Sequence, residues 1–311
     1  MAGPVLPLDL EYLTHPDTAI EDLIDWLQEH RLLASDMMCP RCPDEMMTWR
    51  ERENSIDKYR WRCSRCWTSR SIRTGSIFKE CKGISLRLWM RFMMKWVEDK
   101  LVTEIQTELG TIGYISRVTL SEMCRLMRLL CERKLADEPP VPFGGPGVVL
   151  QIDESCFRRK QKYGRGQRAR AVWVFGLVDT SHTPGRGYMQ VVPNRRAATL
   201  LPIIQRCALP GSIIHSDEWS AYRNVARLPN VALHRTVNHS LHFVDPVTGV
   251  HTQNVEAYWS RKKAKLKRMH GCRGEDTQEY LNELMYRERY ITNPTIGIQN
   301  LLRYISVRYP V

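Results

Sequence analysis

The sequence predicts an α/β domain, a mixed sheet flanked by helices, preceded by a zinc ribbon and a helix-turn-helix. Three observations predict it. Two CxxC pairs lie close together near the start of the chain. A helix, a short helix, a glycine-containing turn and another helix follow. Beyond a Pro/Gly-rich linker, short β-branched runs alternate with helical patterns.

At 311 residues the chain accommodates one sizeable core and one or two small modules. Lys and Arg number 46 against 34 Asp and Glu, a formal charge of +12, so the expected partner is a polyanion, with nucleic acid first. No stretch approaches the ~20 apolar residues that span a bilayer. The opening MAGPVLPLDLEYLTHPD lacks the basic and apolar regions of a secretory signal, so an intracellular protein is expected. Of ten cysteines, four cluster and six are scattered, which fits a reducing compartment.

Residues 18–33 predict an amphipathic helix, with Thr18 and Glu21 in capping-box spacing and Ile20, Leu23, Ile24 and Leu27 on one face. An N-terminal helical segment over 1–36 and a zinc ribbon over 37–80 follow. Cys39-x2-Cys42 and Cys63-x2-Cys66 supply four thiolates to one structural zinc, leaving no open position. Arg41, Arg60, Arg62, Arg65 and Arg70 surround them and predict contact with phosphates. In the 81–137 region Leu86, Trp89, Met90, Met93 and Val97 share a helical face. A short helix over 101–109 ends at Gly110-Thr111-Ile112-Gly113, and Ser116 can cap a third helix. An ordinary small helical bundle has the same periodicity. Its place between basic segments favours a recognition helix over 116–131, with Arg117, Arg125 and Arg128 as base or phosphate contacts.

The linker is placed at 138–147, a catalytic domain at 148–290 and a C-terminal tail at 291–311. Strands are expected over 148–152, 171–178, 188–192, 212–215 and 231–237, with helices over 197–208 and from 255 onward. Asp153 ends the first strand, Asp217 follows the fourth, and Glu256 opens a helix. Three carboxylates so placed can hold two divalent cations about 4 Å apart that act on a phosphodiester. Glu154 and Glu218 point to the opposite face and are read as supporting residues. Trp259, Ser260, Lys263 and Lys267 share the helical face of Glu256, so Lys263 is expected at a phosphate beside the metals, with Lys267 further along the DNA. The run RKKAKLKR over 261–268 also reads as a solvated helix face or a nuclear-localisation signal. Arg158, Arg159, Lys160 and Lys162 begin a basic stretch reaching Arg170, expected as a loop along the DNA backbone. His215, His234, His239, His242 and His251 crowd the interval before Glu256 without metal-site spacing. Supporting or DNA-contact roles are expected for His239 and His251.

The stretches Ile152-Asp153-Glu154-Ser155, His215-Ser216-Asp217-Glu218-Trp219-x-x-Tyr222, Val237-Asn238-His239-Ser240, Phe243-Val244-Asp245-Pro246 and Thr248 through Glu256-x-x-Trp259 resemble the Merlin superfamily of DNA transposases. They also resemble its bacterial insertion-sequence relatives with a DDE catalytic domain. The likeness spans about residues 18–290. It implies an RNase H-like fold and cut-and-paste cleavage and strand transfer at terminal inverted repeats. The site would hold two Mg2+ or Mn2+ on Asp153, Asp217 and Glu256, with Lys263 trailing. Some bacterial relatives use Asn as the third residue, and Asn254 lies two positions before Glu256, but Gln253-Asn254-Val255-Glu256-x-x-Trp259 follows the glutamate pattern. Expected partners are double-stranded DNA and further copies of the chain, in a homodimer or larger assembly. The expected location is the nucleus of a eukaryote, or otherwise the cytoplasm. Two alternatives stay open: a domesticated zinc-ribbon/helix-turn-helix DNA-binding regulator that does not cut, and a nuclease or resolvase that cuts without joining.

Overall fold

A computed structural model describes residues 7–138, 142–157, 171–238 and 244–311. Arg158, Arg159, Lys160, Lys162, His239 and His242 lie outside the described residues. The chain divides into two compact units, one formed by residues 1–130 with 289–311 and the other by 131–288.

The first unit opens with helices α1 (Pro7–Leu13) and α2 (Ile20–Glu29). The capping box expected at Thr18 does not form. Ala19 holds the N-cap position, the Thr18 hydroxyl donates to the Tyr12 carbonyl at 2.7 Å, and the Glu21 carboxylate accepts from the Tyr59 hydroxyl. An antiparallel three-stranded sheet follows, β1 (Thr48–Glu51), β2 (Tyr59–Arg62) and β3 (Ser69–Ser71). After it come α3 (Leu86–Val97), α4 (Val102–Leu109) and α5 (Arg117–Asp137). Ser85 caps α3, its hydroxyl accepting from Leu88 N at 3.3 Å, and Ser116 accepts from Thr119 N at 3.0 Å at the start of α5. The boundary between the units falls inside α5, seven residues before its last residue Asp137, not in the Pro/Gly-rich stretch.

A buried ion pair joins the sheet to the helices within this unit. Arg73 donates to both Asp57 oxygens at 2.6 and 2.7 Å, and the two side chains are 4% and 3% exposed. Asp57 also accepts from Leu86 N at 3.1 Å, at the first turn of α3, and Arg73 reaches the Phe78 and Cys81 carbonyls. All three guanidinium nitrogens and both carboxylate oxygens are engaged, the condition under which burying both charges is tolerated.

In the second unit, β4 (Phe143–Gly144) pairs with β8 (Ala208–Leu209). The main sheet is built from β5 (Val149–Phe157), β6 (Val172–Asp179), β7 (Arg186–Val192), β9 (Ser212–Asp217) and β10 (Val231–Val237), in the order β10-β9-β5-β6-β7. β5, β6 and β7 are antiparallel, whereas β9 runs parallel to both β5 and β10. The sheet is therefore mixed. Helix α6 (Ala197–Cys207) covers one face through Leu200, Ile203 and Ile204 against Leu150, Ile152 and Ile214. Helices α7 (Gln253–Arg268) and α8 (Thr277–Tyr290) cover the other, with Val255, Tyr258, Trp259, Leu281 and Met285 against Val174, Val178 and Met189. A sheet with both faces covered reads as long apolar runs, as β6 does in Val172–Asp179.

Residues 291–311 are not a tail. Asn293 caps helix α9 (Pro294–Arg308) by accepting from Ile296 N at 2.9 Å, Pro294 takes the first turn, and Ile298, Leu301, Leu302 and Ile305 are buried. A Cβ on Gly297 would stand 2.6 Å from Val97 of α3 and 2.7 Å from Ile291, so a side chain at this position would break the packing.

Removing one partner of the Arg73–Asp57 pair strands a buried charge. Asp57→Ala should cost about 3–5 kcal/mol, read as a lowered Tm, and Asp57→Leu/Arg73→Met together should recover most of it. An unchanged Tm in Asp57→Ala would show that the pair does not anchor this unit.

Candidate functional site

The carboxylates of the second unit converge through sheet register. In β5 and β9, Gln151 pairs with His215. Asp153 and Asp217 each lie two residues further along parallel neighbouring strands, so both project to the same face. Asp153 sits in mid-strand, not at the strand end, because β5 continues to Phe157. Its Oδ2 accepts from Trp259 Nε1 at 3.0 Å. That contact depends on Gly176, the residue paired with Asp153 on β6, where a Cβ would lie 2.4 Å from the Trp259 ring.

Glu256 arrives on the same face by a different route. The N-cap of α7, Thr252, makes no side-chain capping bond. Instead Gln151, 1% exposed in β5, extends its amide oxygen to accept from Asn254 N at 2.9 Å and Val255 N at 3.1 Å. The strand that carries Asp153 thus caps the helix that carries Glu256. Burial first, then the charges of Asp217 and Glu256, push the Asp153 carboxyl up to about 6, although the Trp259 bond opposes them. Asp153 therefore feels the charge of both other expected acids. Glu256 is exposed, and Asn254 is exposed on the same first turn.

Lys263 lies beside this group. Its amine donates to Ser155 Oγ at 2.6 Å and to the Cys156 carbonyl at 3.3 Å, and burial lowers its pKa. The solvated reading of RKKAKLKR fails for half of its cations. Lys262 pairs with Glu288 at 2.9 Å, and Lys265 and Arg287 both reach Glu283. Burial alone would raise the Glu283 carboxyl, yet these two cations hold it at about 2. Arg261, Lys267 and Arg268 remain exposed.

Glu154 has more to do than its placement beside Asp153 indicates. It points to the other face, as strand alternation requires, where it accepts from the Tyr222 hydroxyl and lies 3.9 Å from Arg195. Burial pushes it up to about 7, the Tyr222 bond pulls it down, and the charges of Asp153 and Asp217 add to the rise. The only sequence signal was its adjacency to Asp153. Glu218 is exposed. Among the histidines, burial lowers the pKa of His215, His251 Nδ1 lies 3.4 Å from Gln151 Nε2, and His234 Nε2 lies 2.9 Å from Ser216 Oγ.

In the first unit, the sulfurs of Cys39, Cys42, Cys63 and Cys66 all lie within 4.8 Å of one another. Tetrahedral zinc with Zn–S bonds near 2.3 Å requires sulfurs about 3.8 Å apart, so the group fits the metal. Backbone amides of Arg41 and Cys66 donate to Cys39 and Cys63 sulfurs at 3.4 Å each. Within the group the thiols part: the Thr68 hydroxyl, 3.1 Å away, and then its backbone bond pull Cys66 down to about 6, whereas the bond to Cys66 and then burial push Cys42 up to about 12. Strand pairing places Thr48, Arg62 and Ser69 in one row and Arg50, Arg60 and Ser71 in the next, on a single face. Three arginines interleaved with hydroxyls on one face suit a phosphate backbone. Arg62 also stacks over the exposed Trp67 ring at 4.9 Å. Of the α5 residues, Arg117 and Arg125 are exposed and Arg128 is half-buried.

Residues 147–289 match the ISXO2-like transposase domain. The chain is 33% identical over 100 residues to an uncharacterized transposase-like protein of Haemophilus influenzae, covering 32% of this chain and 78% of that one. Among solved structures, the catalytic core of BIV integrase superposes with a TM-score of 0.31 at 18% identity over 47% of this chain and 84% of that one. A simian T-cell lymphotropic virus intasome in complex with PP2A regulatory subunit B56 gamma gives 0.31 at 15% identity over 65% and 69%. At these TM-scores the architecture rests on the sheet order alone.

Two outcomes are expected. Asp153 keeps its proton to about pH 6 in the folded chain against an ordinary 3.8. The folded state therefore binds more protons than the unfolded one between these values, and stability falls as pH rises through that window. Mg2+ should raise Tm at pH 7.5 clearly more than at pH 5, and Asp153→Asn should remove the difference; equal shifts at both pH values would show that these acids do not bind the ion. Purified protein should also carry one zinc per chain by elemental analysis, and Cys63→Ser should lose it together with the ribbon's thermal stability.

Proposed function

The chain belongs to the ISXO2-like transposase family, and from that premise we propose that it is a cut-and-paste transposase. It binds terminal inverted repeats and carries out divalent-metal-dependent cleavage and strand transfer at Asp153, Asp217 and Glu256. The observation that carries this reading is the strand register that sets Asp153 and Asp217 at matching positions on neighbouring parallel strands, with the charges of Asp217 and Glu256 both acting on Asp153. The sheet order, three antiparallel strands continued by two parallel ones, supports an RNase H-like assignment, and the signature stretches support placement with the Merlin superfamily.

Two Mg2+ or Mn2+ ions held by these carboxylates would supply activation of a water or 3′ hydroxyl and neutralise charge at the phosphorus. The protein's part is placement. Trp259 fixes one oxygen of Asp153, Gln151 sets the start of α7, the helix that carries Glu256, and Lys263 can turn its amine from Ser155 to a DNA phosphate. In the first step a water oxygen displaces the 3′ oxygen at the end phosphodiester. In the second, the freed 3′ hydroxyl attacks a target phosphodiester and displaces its 3′ oxygen. The pair α4 and α5, joined by a turn containing Gly110 and Gly113, is read as a helix-turn-helix with Arg117, Arg125 and Arg128 toward the duplex. The ribbon's arginine face would hold the backbone, with a structural zinc beneath it. Two ends must be brought together, which calls for a homodimer or larger assembly on DNA.

The test uses a plasmid carrying the inverted repeats that flank this chain's gene. Protein with Mg2+ or Mn2+ should cut the ends and join them to target DNA, and Asp217→Asn should lower both products at least a hundredfold while binding the ends as before. Binding without cutting under either metal would instead support a regulator, and cutting without joined product a nuclease. Glu256→Gln and Asn254→Ala identify the third ligand by which one loses cleavage.

A further inference from the structure

The chain turns sharply where β9 delivers Asp217. Trp219 N donates back to Asp217 Oδ1 at 3.0 Å, and the indole Nε1 donates to the Arg195 carbonyl at 3.2 Å. The first bond fixes the turn and the second the direction of the ring. Its inner side faces the Arg195 guanidinium, 4.4 Å from the Trp219 ring centroid and 4.0 Å from that of Trp173. Glu154, buried behind Asp153, lies 3.9 Å from the same guanidinium. The result is a stack, Trp173, Arg195, Trp219, built on β6, the stretch before α6 and the turn after β9, and its outermost ring is 37% exposed.

An indole held by its own hydrogen bond and by a guanidinium beneath it keeps a fixed orientation at the surface. A rigid, partly exposed aromatic backed by a cation is a platform for another flat ring. Trp219 follows Asp217 by two residues, a backbone reach of about 7 Å. Bases within a duplex have both faces covered, so only an unpaired or extruded base offers a face to such a ring. We propose that Trp219, held by Arg195 and Trp173, is a stacking subsite for an unpaired nucleobase of the DNA strand whose phosphate lies at Asp217. This subsite rests on the strand-transfer reading above. Stacking tolerates any base, because each has a π face, so the subsite would position the strand end without reading its sequence.

The test uses an inverted-repeat duplex ending in a three-nucleotide single-stranded flank that carries 2-aminopurine, with the same duplex, blunt, as control. Wild type should quench 2-aminopurine on binding. Trp219→Leu should abolish the quenching and weaken binding to the flanked duplex by about tenfold or more, with binding to the blunt duplex unchanged. Trp219→Phe should restore most of both. Quenching by Trp219→Leu equal to wild type, or no quenching by wild type that binds both duplexes, overturns the subsite and leaves the transposase reading standing. Failure of wild type to bind either duplex overturns both. Equal loss of binding to the two duplexes in Trp219→Leu, without rescue by Trp219→Phe, marks a folding role and also overturns the subsite.

Discussion

The site of the second unit depends on one side-chain amide. Gln151 occupies β5 two residues before Asp153, pairs through its backbone with His215 two residues before Asp217, and accepts the Asn254 and Val255 amides in the first turn of the helix that carries Glu256. Helix starts leave amides without intrahelical partners, and here the cap comes from the sheet instead of from the helix's own N-cap residue. A cap supplied across the tertiary structure fixes the angle and height of α7 relative to the strand. Losing it would strand the Asn254 and Val255 amides, at a cost of about 1–3 kcal/mol for one that is buried, and would release the helix that carries Glu256.

Such convergence forces like charges together. Asp153 and Glu154 occupy opposite faces of the same strand, and burial raises both. Each is met by one aromatic donor: the Trp259 indole for Asp153 and the Tyr222 hydroxyl for Glu154. A neutral donor offsets part of the desolvation without cancelling the charge, so Asp153 stays able to bind a cation. Glu283, on α8, shows the other solution. Two cations, Lys265 and Arg287, neutralise it outright, and its carboxyl falls to about 2. The contrast separates an acid held ready for a ligand from one committed to the core.

Much of this was legible in the sequence, and what was missed has physical causes. Short β-branched runs and the 3.6-residue periodicity located β5 to β7, β9, β10 and the helices α3 to α7, because burial on one or both faces imposes those patterns directly. Strand length was less legible: Asp153-Glu154-Ser155-Cys156 breaks the apolar run, yet ladder bonds to β6 carry β5 on to Phe157. The Thr18 and Glu21 spacing matched a capping box, but both side chains found partners elsewhere, at Tyr12 and Tyr59. Helix α9 was missed although Asn293-Pro294 is a sound start signal, since its burial lies against residues about two hundred positions earlier. Arg195 between Trp173 and Trp219 joins three separate segments and has no local signature at all.

The same distinction changes how the excess of positive charge should be understood. A formal +12 predicts a polyanionic partner only to the extent that the cations are available to one. Arg73, Lys265 and Arg287 are spent on buried carboxylates, Lys262 on the half-buried Glu288, and Arg195 is held between two indoles. Among the cations that remain outward, some are patterned: the Arg50, Arg60 and Arg62 face of the ribbon, Arg117 and Arg125 on α5, and Lys267 beyond Lys263 on α7. Cations fixed in rows by strand register or helical period match the regular spacing of phosphates better than a diffuse excess would. DNA affinity in this chain should therefore follow these few positions and not the net charge, since a count of basic residues cannot separate the arginines that build the fold from those that meet the substrate.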